Sequence, residues 1–347
     1  MFNKIIKKKS IYLKGINKLV TKEVNQKINH KDIKVKVNSC GICSSDLKFI
    51  STGYRIKKYP IILGHEISGT VGKNRHVVFG AEVPCGSCSS CKKLRNDTNL
   101  CDNPISVGSN FDGGFSNYFI IKKKIFNKIP KVIYKSKISL KYAALAESLA
   151  CVINGLEITN FKKNQNIIII GAGYMGLLFV GLSKFKKAKH ISVIDYDKKR
   201  LKIAKIMGAN HIFYAKNQGK NFLKRIMKPT KDLGYEAVIS ANGNLKAHQF
   251  ACNLVGKKGT INLFGGIPKN IKKKLQIDSN FIHYKQAVIT GSFSSNQKHL
   301  NEAFKIIKNK SIDFSKIVTS YAGFNNFKQK IKNLKNKMDI KAIFKPI

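Results

Sequence analysis

Four cysteines crowd into one short segment, Cys85-Gly86-Ser87-Cys88-Ser89-Ser90-Cys91 followed by Cys101. The spacing C-x2-C-x2-C-x9-C lets four thiolates close a tetrahedron around one zinc ion with no position left open, the mark of a structural site. An iron–sulfur run begins in a similar way. It wants its fourth Cys after three residues with Pro next, whereas here nine intervene and Asp102 follows. A nucleic-acid zinc ribbon would show two separated C-x2-C knuckles, which are absent. Zinc is the expected occupant, with iron–sulfur or unmetallated thiols as the alternatives.

A second chemical pattern is Gly171-Ala172-Gly173-Tyr174-Met175-Gly176, directly after the apolar run Ile167–Ile170. The first glycine permits a tight turn, the second admits the backbone to a pyrophosphate, and the third lets a helix pack on a strand. The helix that follows offers free N–H groups and a positive dipole end to the phosphates at Tyr174, Met175 and Gly176. Asp195 comes at the end of the next strand pattern, where a carboxylate accepts hydrogen bonds from both adenosine ribose hydroxyls. Asp195 would also repel a 2′-phosphate, so NAD is expected over NADP, although the run Lys198-Lys199-Arg200 pulls the other way. Glycines that serve packing alone are the ordinary alternative.

The elements that must carry these residues fall into two groups. From Ile167 onward, strand patterns at Ile167–Ile170, Ile191–Ile194, His211–Tyr214, Ala237–Ser240, Ile261–Phe264 and Ala287–Thr290 alternate with helical ones at Tyr174–Phe185 and Lys198–Met207. This order predicts an α/β fold with a doubly wound parallel sheet. Residues 1–150 hold most of the cysteines and short strand patterns such as Ile33–Val37 and Val77–Phe79, and predict a β-rich domain. The boundaries expected are 1–150, 151–291 and 292–347. The last stretch holds a helix over His299–Lys308 and strand-like pieces at Ile317–Ser320 and Ile340–Phe344, and is expected to return to the first domain.

The chain has 347 residues, 43% of them hydrophobic, enough to fill two cores. Its formal charge of +47 raises nucleic acid or an anionic membrane as partners. Arginine, however, occurs only at Arg55, Arg75, Arg95, Arg200 and Arg225, and the lysines are scattered. A dedicated nucleic-acid face would cluster and favour Arg for bidentate contacts. No specific nucleic-acid partner is therefore expected. Met1 to Val20 lacks the apolar core of a secretory signal. Ile167 to Leu182, the longest uncharged apolar run, is too short to span a membrane. A cytoplasmic protein with reduced cysteines is expected.

Three further segments acquire meaning together: Gly41-Ile42-Cys43-Ser44-Ser45-Asp46, Gly64-His65-Glu66-Ile67-Ser68-Gly69, and Ala146-Glu147-Ser148-Leu149-Ala150. A lone Cys, His and Glu far apart are weak evidence of a site. With the cysteine cluster, the glycine fingerprint, Leu263-Phe264-Gly265-Gly266-Ile267-Pro268 and Ile282-His283-Tyr284-Lys285, they resemble in order the zinc-containing medium-chain dehydrogenase/reductase superfamily. The similarity is to the branch with sorbitol, threonine and sugar-phosphate dehydrogenases, and it covers nearly the whole chain.

That resemblance implies a GroES-like β-rich catalytic domain beside a Rossmann domain, and two zinc ions per subunit. It places Cys43, His65 and Glu147 on a catalytic zinc, and Glu66 close enough to bind it transiently. Cys85, Cys88, Cys91 and Cys101 would hold the structural zinc. Three protein ligands leave one position for water or a substrate hydroxyl. Ser45 would take or relay the proton, and Asp46 would hold the tautomer of His65, although a helix-capping role for Asp46 is an equal reading. Arg200 matches a position on the adenosine ribose side in NAD-dependent members. Cys40, Cys151 and Cys252 match no ligand position and read as small apolar fillers. Lys48 stands where members often have His, and Ser148 where Pro is usual. A loop is missing between Gly69 and the cysteine lobe, and the last gap of that lobe is two residues longer than usual. The expected reaction passes a hydride from a secondary alcohol, polyol or sugar-like, to NAD. Threonine-like or phosphorylated-sugar substrates are the alternatives, and a basic zinc protein binding nucleic acid is the non-enzyme one. Pairing of the last strand of the sheet would make a homodimer or homotetramer.

Overall fold

The structure, a computed structural model, describes residues 4–135, 141–216, 219–267 and 274–347. The chain divides into two compact units, one of Met1–Ala150, Ser294–Lys310 and Val318–Ile347 and the other of Cys151–Phe293 with Ser311–Ile317. Pro268 lies outside the described residues. Among the described residues no helix is long and apolar enough to cross a membrane.

In the first unit the strand Asp32–Ile42 is the organiser. It pairs antiparallel with Glu66–Val71 on one side and with Tyr118–Lys122 and Lys341–Phe344 on the other. The register sets Gly41 opposite both Glu66 and Ile343. Residues of opposite ends of the chain thus meet at one strand end. Alternate side chains such as Val35, Val37, Ile67 and Val77 are fully or almost fully buried. The core is completed by aromatic rings, with Phe115 4.8 Å from Phe327 and 5.7 Å from Phe344 between centroids. Each such ring contributes about 1.5–3 kcal/mol through burial, so the C-terminal stretch is structurally part of this unit.

The long hairpin Lys4–Leu13 with Leu19–Ile28 carries no clear apolar alternation, because lysines interrupt it; even Lys8 is buried. The cysteine segment hangs from a separate two-stranded ribbon, Glu82–Val83 with Ile105–Ser106.

The second unit is a six-stranded parallel sheet. Its strand order is His211–Tyr214, His190–Asp195, Asn166–Ile170, Tyr235–Ser240, Val255–Asn262 and Val288–Thr290. Numbered along the chain, that order is 3-2-1-4-5-6, the doubly wound arrangement. Ile167–Ile169 are buried completely, as a central parallel strand covered on both faces requires. The expected strand at Ile261–Phe264 in fact runs from Val255 to Asn262. Exposed Lys257 and Lys258 hide its beginning from a hydrophobic pattern. Ser311–Ile317 joins this unit through the buried Ile312 and Ile317.

Candidate active site and metal centres

Cys43 sits at the N-cap of the helix Ser44–Thr52, and its backbone N–H donates to Asp46 Oδ2 at 2.8 Å. The second oxygen of Asp46 accepts from Gly64 N–H at 3.3 Å and lies 3.7 Å from His65 Nδ1. The two readings of Asp46 are therefore one arrangement, since its capping of the helix aims its carboxylate at the imidazole. Asp46 is fully buried, and burial pushes its own pKa up despite the opposing pull of His65. For His65, burial works to lower the pKa. Asp46, then Cys43 and Glu147, overcome it and hold the imidazole well above its ordinary value in the metal-free protein.

One ligand atom each from Cys43, His65 and Glu66 lies within 4.8 Å of the others. Glu66 is completely buried, yet its Oε2 has no hydrogen-bond partner. An orphaned carboxylate oxygen beside a thiol and an imidazole is what a metal ion would satisfy. The close approach depends on Gly41, because a Cβ there would collide with Glu66 Oε2. The other oxygen, Oε1, accepts from Lys341 Nζ at 2.6 Å, with both side chains essentially without solvent. Burial would lower the Lys341 pKa. Glu66, with Cys43 and Asp46, reverses this and raises it, so Lys341 is a buried cation. Nothing in the sequence pattern singles out Lys341. Only the pairing of Lys341–Phe344 with Asp32–Ile42 brings it here.

Glu147, on the first turn of the helix Ala146–Ile158, is buried and acts on His65 electrostatically. Glu66 lies within ligand range of both Cys43 and His65, held there by Lys341. Ser45 is half-buried on the same helix as Asp46, and no hydrogen bond among the described residues occupies its hydroxyl. Lys48 follows Ser45 by three residues, on the same helix face, with its ammonium 4.1 Å from the centre of the Tyr54 ring.

Cys85, Cys88, Cys91 and Cys101 place their four sulfurs within 4.8 Å of one another, and none forms a disulfide. Backbone N–H groups point at the sulfurs: Ser87 and Cys88 donate to Cys85 Sγ at 3.4 and 3.3 Å, Cys91 to Cys88 Sγ at 3.4 Å, and Cys85 to Cys101 Sγ at 3.3 Å. The Ser87 and Cys88 donors pull the Cys85 pKa down to about 6. Amides turned toward sulfur stabilise thiolates, so the donor set fits a closed tetrahedral zinc site. Of the remaining cysteines, Cys40 and Cys252 are buried and Cys151 is half-buried.

In the second unit the glycine turn runs from strand Asn166–Ile170 into helix Tyr174–Phe185, capped by Gly173 with no side-chain hydrogen bond. The positive dipole end at Tyr174, Met175 and Gly176 favours an anion there. Gly176 lies so close to Gly171 that a Cβ would strike the Gly171 carbonyl. Asp195 ends the neighbouring strand and accepts from Ala172 N–H at 2.6 Å and Asp197 N–H at 2.7 Å. Its carboxylate therefore braces the turn and keeps lone pairs for a diol. Arg200 Nε lies 3.8 Å from Asp197, and its guanidinium reaches over Gly173.

A β-rich unit with a Cys/His/Glu cluster and a thiolate lobe, joined to a doubly wound sheet with a dinucleotide turn, defines a class, the zinc-type dehydrogenases. Comparison with known proteins agrees. The alcohol dehydrogenase GroES-like domain matches residues 29–131, and the zinc-binding dehydrogenase domain matches residues 175–309. The chain is 32% identical over 253 residues to sorbitol dehydrogenase of Bacillus subtilis (strain 168), covering 69% of each protein. It is 24% identical over 346 residues to galactitol 1-phosphate 5-dehydrogenase of Escherichia coli (strain K12), covering 94% of this chain and 96% of that one. A crystal structure from Sinorhizobium meliloti 1021, described as a zinc-binding dehydrogenase bound to NADP, superposes with a TM-score of 0.89 at 22% identity over 98% of this chain and 100% of its own. The chain belongs to the zinc-containing medium-chain alcohol dehydrogenase superfamily. It is accordingly a zinc-dependent, nicotinamide-linked oxidoreductase acting on alcohols.

Proposed function

We propose that the substrate is a polyol or sugar-like secondary alcohol, that the cofactor is NAD, and that Ser45 takes the hydroxyl proton. The observation that supports this best is the cluster of Cys43, His65 and buried carboxylates, with the unengaged Ser45 hydroxyl on the adjoining helix turn. Zinc bound there supplies Lewis acidity that makes the alcohol proton easier to remove. Cys43 and His65 would hold it, with Glu147 as the third ligand and Glu66 as the carboxylate that exchanges. Asp46, 3.7 Å from His65 Nδ1, would orient the imidazole for the ion. The amides after Gly173 take the pyrophosphate, Asp195 takes the ribose hydroxyls, and Arg200 flanks the same end. A panel of polyols, amino alcohols and phosphorylated sugars, read as NADH absorbance, tests the substrate reading. Activity confined to primary alcohols overturns it. Phosphorylated members belong in the panel because Lys48 stands one turn beyond Ser45.

Each subunit would hold two zinc ions. The four-thiolate site is closed, while the site at Cys43 and His65 has an exchangeable oxygen ligand. A chelator is expected to remove the second ion first, abolishing activity while the fold persists. Elemental analysis giving one zinc, or iron with visible absorbance, counts against it.

Cofactor choice rests on Asp195. A 2′-phosphate ~4 Å from its carboxylate, at an effective dielectric of ~20, is repelled by about 4 kcal/mol. Scattered lysines act through screened water and offset little of this. NAD is expected to exceed NADP in kcat/KM by at least about tenfold. Asp195→Ser should narrow or invert that ratio, and a wild-type preference for NADP would sink the assignment.

The protein would be a cytoplasmic homodimer or homotetramer. The edge strand Val288–Thr290 pairs only with Val255–Asn262 among the described residues and leaves Val288 52% exposed. An open apolar edge of this kind calls for a second copy. A stable 38.9 kDa monomer by light scattering would argue otherwise.

A further inference from the structure

His248 is a buried imidazole that none of the chemistry above employs. It lies on the helix Leu245–Ala251 and is 3% exposed. Its Nδ1 is 2.8 Å from Ser240 Oγ, at the end of strand Tyr235–Ser240, and its Nε2 is 2.9 Å from the carbonyl oxygen of Gly265. A carbonyl only accepts, so Nε2 must carry the hydrogen. Burial lowers the His248 pKa against the pull of the Gly265 bond, so the ring is neutral and Nδ1 accepts from the Ser240 hydroxyl. The donor and acceptor roles are thereby fixed, and the ring ties a strand end to the loop that leaves the next strand.

That loop occupies a particular place. Gly265 also donates its N–H to the Ser240 carbonyl at 3.1 Å, and it presses on Asn242 so closely that any Cβ would meet the Asn242 backbone. Asn242 in turn donates its Nδ2 to the Ile170 carbonyl at 3.0 Å, beside Gly171. A continuous set of contacts therefore runs from the glycine turn through Asn242 and Gly265 to His248. Strands Asn166–Ile170 and Tyr235–Ser240 are the neighbours at which the strand order reverses. The crevice outside their C-terminal ends is where such sheets bind a dinucleotide. Asp195 belongs to the half of the sheet that takes the adenosine side. The loop at Gly265 belongs to the other half, which takes the nicotinamide mononucleotide side.

We propose that His248 is a positioning residue for the nicotinamide half of the cofactor, fixing the Leu263–Ile267 loop at the crevice wall through the Gly265 carbonyl. This rests on the dinucleotide reading of the glycine turn. Without the imidazole, the Gly265 carbonyl and Ser240 hydroxyl lose their buried partner and the loop samples other arrangements. If it keeps the competent arrangement a tenth of the time, apparent cofactor affinity falls tenfold. Ligands that lack the nicotinamide ring are spared.

The test compares wild type, His248→Leu and His248→Gln, using binding of NADH and of ADP-ribose, which lacks the nicotinamide. His248→Gln keeps one donor and one acceptor and guards against a variant that fails to fold. For His248→Leu, NADH should bind about tenfold more weakly and KM for NAD should rise, with ADP-ribose affinity within about twofold of wild type and zinc content unchanged. His248→Gln should recover most of the loss. Equal weakening of NADH and ADP-ribose would show a merely structural role and overturn the proposal, as would unchanged NADH binding in His248→Leu. A wild type that binds neither ligand would instead overturn the dinucleotide reading itself.

Discussion

Ser45→Ala is expected to lower kcat by roughly 10²–10⁴, the range associated with one well-placed proton-transfer group. The residue sits on the helix that begins after Cys43, half-buried, with its hydroxyl unengaged by other described residues. Its neighbours Cys43 and Asp46 are fixed by the capping bond between them, and the substitution disturbs neither. Zinc content and thermal stability should therefore remain at wild-type values while turnover collapses. KM for the cofactor should change little, because the loss concerns a proton that moves during the reaction. Near-normal turnover in the Ala variant would show that water carries the proton instead.

Lys341→Met should produce the largest stability effect of any single substitution near the site. It leaves the Glu66 carboxylate without its counter-charge in a place where neither side chain meets solvent. Breaking a buried ion pair from one side costs about 3–5 kcal/mol, because the remaining charge has lost both water and partner. With zinc bound, Glu66 can turn to the ion, so the loss should be smaller in the holoprotein than in the chelated one. Turnover should still fall, since a carboxylate kept on the ion competes with the substrate hydroxyl. Adding Glu66→Gln to Lys341→Met should recover a large part of the stability, which a double-mutant cycle in urea would quantify. A Lys341→Met protein as stable as wild type with and without zinc would mean that the pair is solvated in solution.

The parts of this protein written in local sequence were those in which neighbours along the chain do the chemistry. The C-x2-C-x2-C-x9-C spacing suits four convergent thiolates, because tight turns bring cysteines three apart side by side and the longer gap lets Cys101 return to them. The glycine turn, the apolar strand before it and Asp195 after it form one supersecondary unit, and the sheet around them has the strand order which that unit implies. Even Asp46 was half legible, since its place three residues after Cys43 gives the capping bond. That the same carboxylate also faces His65 required the fold.

What the sequence left open depended on partners remote in the chain. Lys341 is 275 residues from Glu66, and no pattern of types or spacing connects them. Their meeting is decided by strand register, which sets Ile343 and Glu66 on either side of Gly41. The resemblance pointed to both Glu147 and Glu66, but only the fold shows the ion pair with Lys341 and the missing Cβ of Gly41 that hold Glu66 beside Cys43 and His65. His248 shows the same division. A histidine on a short helix carries no signal by itself, and its two bonds exist only once the ends of separate strands are stacked side by side. Local spacing determined which chemical groups this chain brings to its sites. Tertiary packing decided their charge partners, because a buried ion or imidazole is stabilised by whatever the sheet places within about 3 Å of it, however far away that is in sequence.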